Sequence, residues 1–205
     1  WSNAPDGRCV QISWMAGGLY PEMPFNQQLS IPVELKLKGT GASAVLTRQP
    51  VAELNALRGK AFVHTNRRIS PGKPFIADTK ARLFDVSFTV STGSSKALYV
   101  MVRGQTLAFD WAEANLNLVN GRPHKLGRAE QSVRLPTKPG CAAQLSCRLI
   151  VDLTSIEVFI NDGEVSASFC YLPDAHTDPL VFYGSGDAQT LEHLALFELR
   201  SIFEQ

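Results

Sequence analysis

Acidic side chains that lie close together are the first candidates for acid/base catalysis, and Asp152 and Glu157 stand on two strands that the pattern predicts to pair. On paired strands, a place on a sheet face or edge is more common than an acid/base pair, so we interpret both as structural. The string GSGD at residues 184–187 lacks the spacing of a nucleophile elbow and indicates a turn. No glycine-rich phosphate loop and no EF-hand pattern occurs in the sequence.

Thiols and imidazoles are the usual metal ligands, but their spacing here predicts no metal site. The four cysteines lack the paired short spacings of a zinc site: Cys9, Cys141, Cys147 and Cys170. Cys141 and Cys147 could close a small disulfide loop, or they could be thiols of a strand, where buried cysteine is more common. The four histidines are scattered: His64, His124, His176 and His193.

Composition excludes several classes of protein. The chain has 205 residues, of which 44% are hydrophobic and 19% charged, enough apolar side chains for a sizeable core and too few charges for a disordered chain. Its formal charge of +1 gives no basic stripe for nucleic acid. The longest apolar runs are far shorter than a membrane span. We therefore expect a globular protein that binds no nucleic acid and has no membrane span.

The dominant hydrophobic period is two, which is typical of β-strands. Residues 84–90 alternate apolar and polar side chains, which predicts a half-buried strand with one face in water. Two hairpins are predicted, one around residues 103–105 and one at Asn161-Asp162-Gly163, because Gly accepts the positive φ of a tight turn. Further strands are predicted at 145–153, 165–169, 180–183 and 191–201. Many short strands separated by Gly, Pro and Asn predict an all-β fold, an antiparallel β-sandwich of jelly-roll or lectin-like type.

Residues 50–58 show the one clear helical pattern, with Val51, Leu54 and Leu57 on one face. We interpret this short stretch as a connector. Before it, strands are predicted at 8–15 and 29–38, and two or three strands cannot bury both of their faces alone. Residues 1–49 therefore resemble the end of something larger. The expected domains are 1–49, a helical connector at 50–59, and a sandwich at 60–205.

Three motifs, in this order, resemble the glycoside hydrolase family 32 enzymes, which include invertases, inulinases and levanases. The first is GRCVQISWM at 7–15, followed by YPEMPFNQQL at 20–29 and PVEL at 32–35, and it is similar to the family's last propeller blade. The second is the connector, which resembles the family's "PVxELxxLR". The third is VDLTSIEVFINDGE at 151–164, which is similar to the "VDRSSVEVFxNDGE" hairpin of the family's C-terminal sandwich, with Leu153 where the family usually has Arg.

The resemblance implies a remnant of a β-propeller blade before the sandwich, and it also implies which motifs would carry catalytic groups. Retaining glycoside hydrolysis needs a carboxylate nucleophile and a carboxylic acid about 5 Å apart. The family carries its nucleophile in "WMNDPNG", a stabilising Asp in "RDP" and its acid/base in "EC". The string WSNAPDG at 1–7 has Ala4 in the nucleophile's position, TDP at 177–179 lacks the Arg, and no Glu-Cys dipeptide exists. We therefore assign no catalytic residue to this chain, no metal and no cofactor.

The same resemblance gives three candidate substrate-binding residues. An aromatic residue of the "GWM" strand resembles a wall of the family's fructose pocket, and an indole offers a flat face to the C–H groups of a sugar. Trp14 either has this role or packs in a core between blade and sandwich. Phe25 and Asn26, in the following turn, are further candidates on the same surface, although Asn is also a common turn residue.

From these observations we expect the non-catalytic C-terminal portion of a β-fructofuranosidase-type glycosidase that acts on fructans or sucrose. Its partner would be the catalytic β-propeller of the same enzyme, which it braces, and it could also form a homodimer. The compartment would be secreted or periplasmic, because fructan polymers are degraded outside the cytoplasm. The alternative is a stand-alone lectin-like sandwich, which would need a row of exposed aromatic residues on one sheet face, such as Tyr99, Trp111 and Tyr171.

Overall fold

The computed structural model describes residues 4–15, 20, 23–119, 132–138, 140–141 and 143–202. Within these residues the chain forms seventeen strands: β1 Cys9–Gln11, β2 Trp14–Met15, β3 Gln28–Leu29, β4 Val33–Lys38, β5 Val45–Pro50, β6 Arg58–Ile69, β7 Phe75–Ile76, β8 Phe84–Ser91, β9 Ser95–Val102, β10 Gln105–Asp110, β11 Asn115–Val119, β12 Ser132–Arg134, β13 Gln144–Val151, β14 Ser155–Ile160, β15 Val165–Cys170, β16 Leu180–Gly186 and β17 Gln189–Leu199. Two short 3₁₀ helices lie at Gly41–Ser43 and Ala52–Leu57. No helix in this described part of the chain is long and apolar enough to cross a membrane.

Two six-stranded sheets pack face to face and confirm the predicted antiparallel sandwich. The front sheet has the strand order β12-β11-β10-β9-β16-β7, and the back sheet has the order β15-β14-β13-β8-β17-β6. Alternate side chains of both sheets point into one core, as the period of two requires. At its centre the Phe88 ring of β8 meets the Phe182 ring of β16 edge to face, with ring centroids 5.1 Å apart.

The back sheet is covered on its other face as well. Strands β1, β4 and β5 form a three-stranded sheet that lies over it. Val33 of β4 packs against Ile150 and Phe159 of the back sheet, and Leu54 and Leu199 close the sides of this second apolar cluster. Because β14 is covered on both faces, all six of its residues are buried, and four of the six are apolar.

Several expectations about the elements need correction. The predicted strands 8–15 and 29–38 are not continuous, because β1 and β4 belong to one sheet whereas β2 and β3 pair in another. The strand predicted at 145–153 ends at Val151, where the turn before β14 begins. The connector is a 3₁₀ helix that starts after Pro50, since that proline ends β5. The string GSGD at 184–187 is not all turn, because β16 continues to Gly186.

A further correction concerns the face of residues 84–90 that was expected to lie in water. Asp85 on that face is buried, with 1% of its surface exposed. It accepts hydrogen bonds from Arg58 (2.8 Å to Nε) and from Arg148 (2.9 Å from Nε to Oδ1 and 2.7 Å from Nη2 to Oδ2). Two guanidinium groups therefore replace water around this carboxylate.

The domain boundaries at 49 and 59 stay a prediction.

Candidate functional site

Trp14 lies on a short two-stranded ribbon and faces solvent. Strand β2 pairs with β3, so that Trp14 is directly opposite Leu29. The exposed fractions of the two residues are 62% and 65%. Within the residues described, Trp14 is therefore not packed in a core between strands and sandwich, and its indole is accessible from outside.

Phe25 and Asn26 are exposed on the same chain segment. The Phe25 ring lies 5.2 Å from the buried Tyr20 ring, in a tilted arrangement. Burial raises the pKa of the Tyr20 hydroxyl. Neither Phe25 nor Asn26 makes a ring contact or a side-chain hydrogen bond with Trp14 within the described part of the chain. The three candidates thus share one surface segment, whereas a common pocket is not formed by the residues described.

Gln28 anchors this ribbon to the sandwich. Its Nε2 donates to the Thr154 carbonyl oxygen (3.2 Å), and its Oε1 accepts a hydrogen bond from the Thr154 hydroxyl (2.7 Å). The same Nε2 lies 3.7 Å from the Cys170 sulfur, and burial raises the pKa of that thiol. A single glutamine in a polar stretch carries no periodic signal, so the sequence did not single out Gln28.

Glu157 holds the segment between β3 and β4 on the sandwich. Only 2% of its surface is exposed. Its carboxylate accepts hydrogen bonds from the Ile31 amide (3.2 Å) and from the Ser168 hydroxyl. Burial raises the pKa of Glu157. A raised pKa suits a general acid, but this carboxyl is enclosed by protein on every side, so a substrate cannot reach it.

Asp152 occupies a different environment from Glu157. It is exposed in the turn before β14, where its Oδ1 accepts a hydrogen bond from the Leu153 amide at 2.7 Å. One carboxyl is therefore in water and the other at an internal junction. The interpretation of both as structural is supported over an acid/base pair.

The nucleophile-like string at residues 1–7 ends in a turn. The Gly7 amide donates to the Ala4 carbonyl oxygen at 2.8 Å, while residues 1–3 lie outside the described residues. Asp6 binds Arg8, whose backbone and side-chain hydrogen bonds lower the pKa of Asp6. Arg8 also forms two hydrogen bonds with Glu53 of the connector (2.7 and 3.0 Å) and so lowers the pKa of Glu53 to about 2. Both acids bind the same arginine, which ties the start of the first strand to the connector.

The aromatic row needed by a lectin-like sandwich is not formed by the residues described. Trp111 and Tyr171 are buried in the core between the sheets. Only Tyr99 reaches the outer face of the front sheet, where its ring stacks on that of Tyr183 with centroids 4.9 Å apart. All four cysteines are free: Cys147 is buried in β13, as expected for a strand thiol, and Cys141 is exposed. His124 lies outside the described residues.

Comparison with known proteins shows which sequences this chain resembles. Residues 53–198 match the protein family described as "Glycosyl hydrolases family 32 C terminal". The chain is 27% identical to a levanase of Bacillus subtilis over 99% of its own length and 32% of that protein. It is 27% identical to a sucrose-6-phosphate hydrolase of Escherichia coli, over 96% of this chain and 40% of that one. The chain thus spans about a third of the first relative and two fifths of the second.

Solved structures agree on the fold. The exo-inulinase of Aspergillus awamori superposes with a TM-score of 0.72 at 20% identity, over 94% of this chain and 40% of that one. The sucrose-6-phosphate hydrolase of Lactobacillus gasseri gives a TM-score of 0.74 at 20% identity, over 98% of this chain and 40% of that one. The likeness extends beyond the sandwich and includes most of the strands that precede it.

Proposed function

Because this chain belongs to glycoside hydrolase family 32, we propose that it serves a β-fructofuranosidase-type glycosidase acting on fructans or sucrose. It forms the enzyme's non-catalytic C-terminal portion, and its task is to brace the catalytic propeller. The relatives that share its family are named levanase, sucrose-6-phosphate hydrolase and extracellular exo-inulinase. The three carboxylates that such hydrolysis needs would come from the propeller.

The observation that carries the bracing role is the junction on the back sheet. Strands β4 and β5 lie on it through the apolar cluster around Val33 and Phe159, and three polar links surround that cluster. These links are Gln28 with Thr154, the Ile31 amide with Glu157, and the Arg48 amide with the Gly163 carbonyl oxygen. Apolar burial supplies affinity, and the hydrogen bonds fix orientation. A propeller that continues from these strands would inherit that fixed orientation.

Trp14, Phe25 and Asn26 are proposed to face the fructosyl substrate. Exposure of the Trp14 indole and of the Phe25 ring supports this role, because a sugar can stack only on an accessible aromatic face. In this proposal the propeller completes the pocket. Secretion, or export to the periplasm, and formation of a homodimer belong to the same proposal, and a relative named extracellular exo-inulinase supports export.

The test compares the 205-residue chain with the longer protein in which it is joined to a propeller. The longer protein is expected to release fructose from sucrose, inulin or levan, and the 205-residue chain to release none. In the longer protein, Trp14→Ala should lower kcat/KM while the unfolding free energy changes by less than about 0.5 kcal/mol, since the side chain is on the surface. Leu29→Ala, opposite Trp14 on the same ribbon, is the matched control. Fructose release by the 205-residue chain, abolished by denaturation, would overturn the proposal.

A further inference from the structure

A groove of about 210 Å³ lies beside the junction, and the function proposed above assigns it no ligand. Its floor is the outer face of the back sheet at β8, β13 and β17. One wall is formed by Gln49 and Pro50 of β5 and by Asp162 of the turn between β14 and β15. Phe159, which packs under Val33, closes the end next to the apolar cluster.

Polar side chains form the floor in a continuous row. Ser146 of β13 is directly opposite Thr89 of β8, and Thr89 is directly opposite His193 of β17. Directly opposed residues of antiparallel strands point to the same face with Cβ atoms about 5 Å apart. Two further side chains of this face lie two residues along the strands, where Ser87 is opposite Arg148. The groove therefore has three hydroxyl groups, an imidazole and a guanidinium on one surface.

The hydroxyl groups of this row are free for a ligand. Elsewhere on the same sheet face, hydroxyls are already used: Ser91 donates to Glu192, and Ser168 donates to Glu157. By contrast, the hydroxyls of Ser87, Thr89 and Ser146 make no side-chain hydrogen bond within the described part of the chain. Each can donate one hydrogen bond and accept two.

The charge of the lining does not favour an anion. The guanidinium groups of Arg148 and Arg58 share one carboxylate, that of Asp85, to which Arg148 donates two hydrogen bonds. Asp162 in the wall brings the formal charge of these four residues to zero. A phosphate or carboxylate ligand would therefore meet no net positive charge, whereas an uncharged ligand rich in hydroxyl groups would find donors and acceptors on the floor and on the wall.

We propose that this groove binds one unit of a neutral saccharide. Its volume is smaller than the roughly 300–1,000 Å³ of pockets for drug-sized ligands, which suits a single sugar ring or the end of a chain. The floor hydroxyls and His193 hydrogen-bond the sugar hydroxyls, and Pro50 contacts a C–H face. Gln49 offers its Oε1, since its Nε2 already donates to the Asp162 carbonyl oxygen at 2.8 Å. The proposal rests on the groove itself and is independent of the hydrolytic function of the longer protein.

The experiment is a titration of the isotope-labelled 205-residue chain, followed by amide NMR resonances. The probes are fructose, sucrose and maltotriose in the millimolar range, with inorganic phosphate as the anionic probe. At least one saccharide is expected to shift the amide resonances of Thr89, Ser146 and His193 saturably. Thr89→Val keeps the β-branched shape and removes one hydroxyl, which should weaken that binding about three- to tenfold, the value of one or two hydrogen bonds. Thr65→Val is the matched control, because Thr65 is opposite His193 on β6 but outside the groove.

Three results would overturn the proposal: no saccharide shifts these resonances, only phosphate shifts them, or Thr65→Val and Thr89→Val weaken binding equally. If Thr89→Val fails to fold, Ser146→Ala replaces it with the same expected loss. Failure here leaves fructose release by the longer protein unaffected. Conversely, a longer protein without hydrolytic activity would leave saccharide binding in this groove intact, so the two proposals fail separately.

Discussion

The Arg48 amide donates a hydrogen bond to the Gly163 carbonyl oxygen at 2.9 Å, which joins β5 to the turn between β14 and β15. Gly163 has φ +82°, and a Cβ built on it would lie 1.9 Å from the Arg48 carbonyl oxygen. Glycine is therefore required twice, for its backbone conformation and for the close approach of the other strand.

Gly163→Ala tests this double requirement. We expect a loss of about 2–6 kcal/mol of unfolding free energy, from roughly 1–3 kcal/mol of backbone strain and 1–3 kcal/mol of overpacking. Gly72→Ala is the control, because Gly72 has a similar φ of +73° and open space around it, so only the strain should appear. Denaturant midpoints at unchanged slope measure both. Equal losses at the two positions would show that β5 yields to the extra methyl group.

The hairpin that contains Gly163 is the part of this junction that the sequence predicts. Asn161-Asp162-Gly163 between two apolar runs is a local signal, and the turn is found there, with all three residues at positive φ. The approach of Arg48 is a contact between residues far apart in the chain, and no local pattern encodes it. The prediction for Asp85 is wrong for the same reason. The alternating pattern predicts that Asp85 is exposed to water, and only the fold brings Arg58 and Arg148 to its carboxylate.

Local patterns also decide the type of an element less well than its position. The connector was expected at residues 50–59 and a short helix is there, but six residues between two strands close as a 3₁₀ helix. In the candidate site, too, some residues were predictable from the sequence and others were not. Family motifs indicated Trp14 and Phe25, whereas Gln28, which holds their ribbon on Thr154, became evident only from its hydrogen bonds.

The ion pairs of Asp85 should be costly to break. Asp85→Asn leaves two guanidinium groups beside a buried neutral amide, and we expect a loss of about 3–5 kcal/mol of unfolding free energy. Asp187→Asn, an exposed site, is the matched control and should change the unfolding free energy by less than about 0.5 kcal/mol. A loss below about 1 kcal/mol for Asp85→Asn would mean that water stabilises the two guanidinium groups about as well as the carboxylate does.

Glu157 should make the junction sensitive to pH. Its ordinary pKa is 4.5, and burial raises that value in the folded chain, so the folded state binds more protons than the unfolded state between the two values. Its contribution to stability is therefore fully present below about pH 4.5 and is lost as the pH rises through the folded pKa. The nearby Asp152 carboxylate acts in the same direction.

Glu157→Gln should remove this pH dependence. The amide keeps an acceptor for the Ile31 amide and resembles the protonated acid at every pH. The difference in unfolding free energy between variant and parent is therefore expected to grow in favour of the variant as the pH rises above 4.5. Glu164→Gln, which removes an exposed carboxylate, is the control. A difference that stays constant with pH, or grows as the pH falls, would contradict the assignment.

The outer end of the β4–β5 pair should make the isolated chain self-associate. Leu37 and Leu46 are directly opposite each other, and their exposed fractions are 74% and 41%. They extend the apolar face that buries Val33 on the sandwich, but they lie beyond its contact with the back sheet. In the proposed enzyme the propeller covers them. In the 205-residue chain they form an exposed apolar patch on a short sheet, which favours association between copies.

Sedimentation velocity at increasing concentration measures this association. The 205-residue chain should sediment partly as a dimer or larger species, and Leu37→Asn with Leu46→Thr should shift it to monomer with little change in unfolding free energy, since neither side chain is buried. Val63→Thr, at another exposed apolar position on β6, should not reduce association. A chain that stays monomeric at high concentration, or a double variant that associates as strongly as the parent, would show that Leu37 and Leu46 need no cover, which would remove one reason to place a propeller over them.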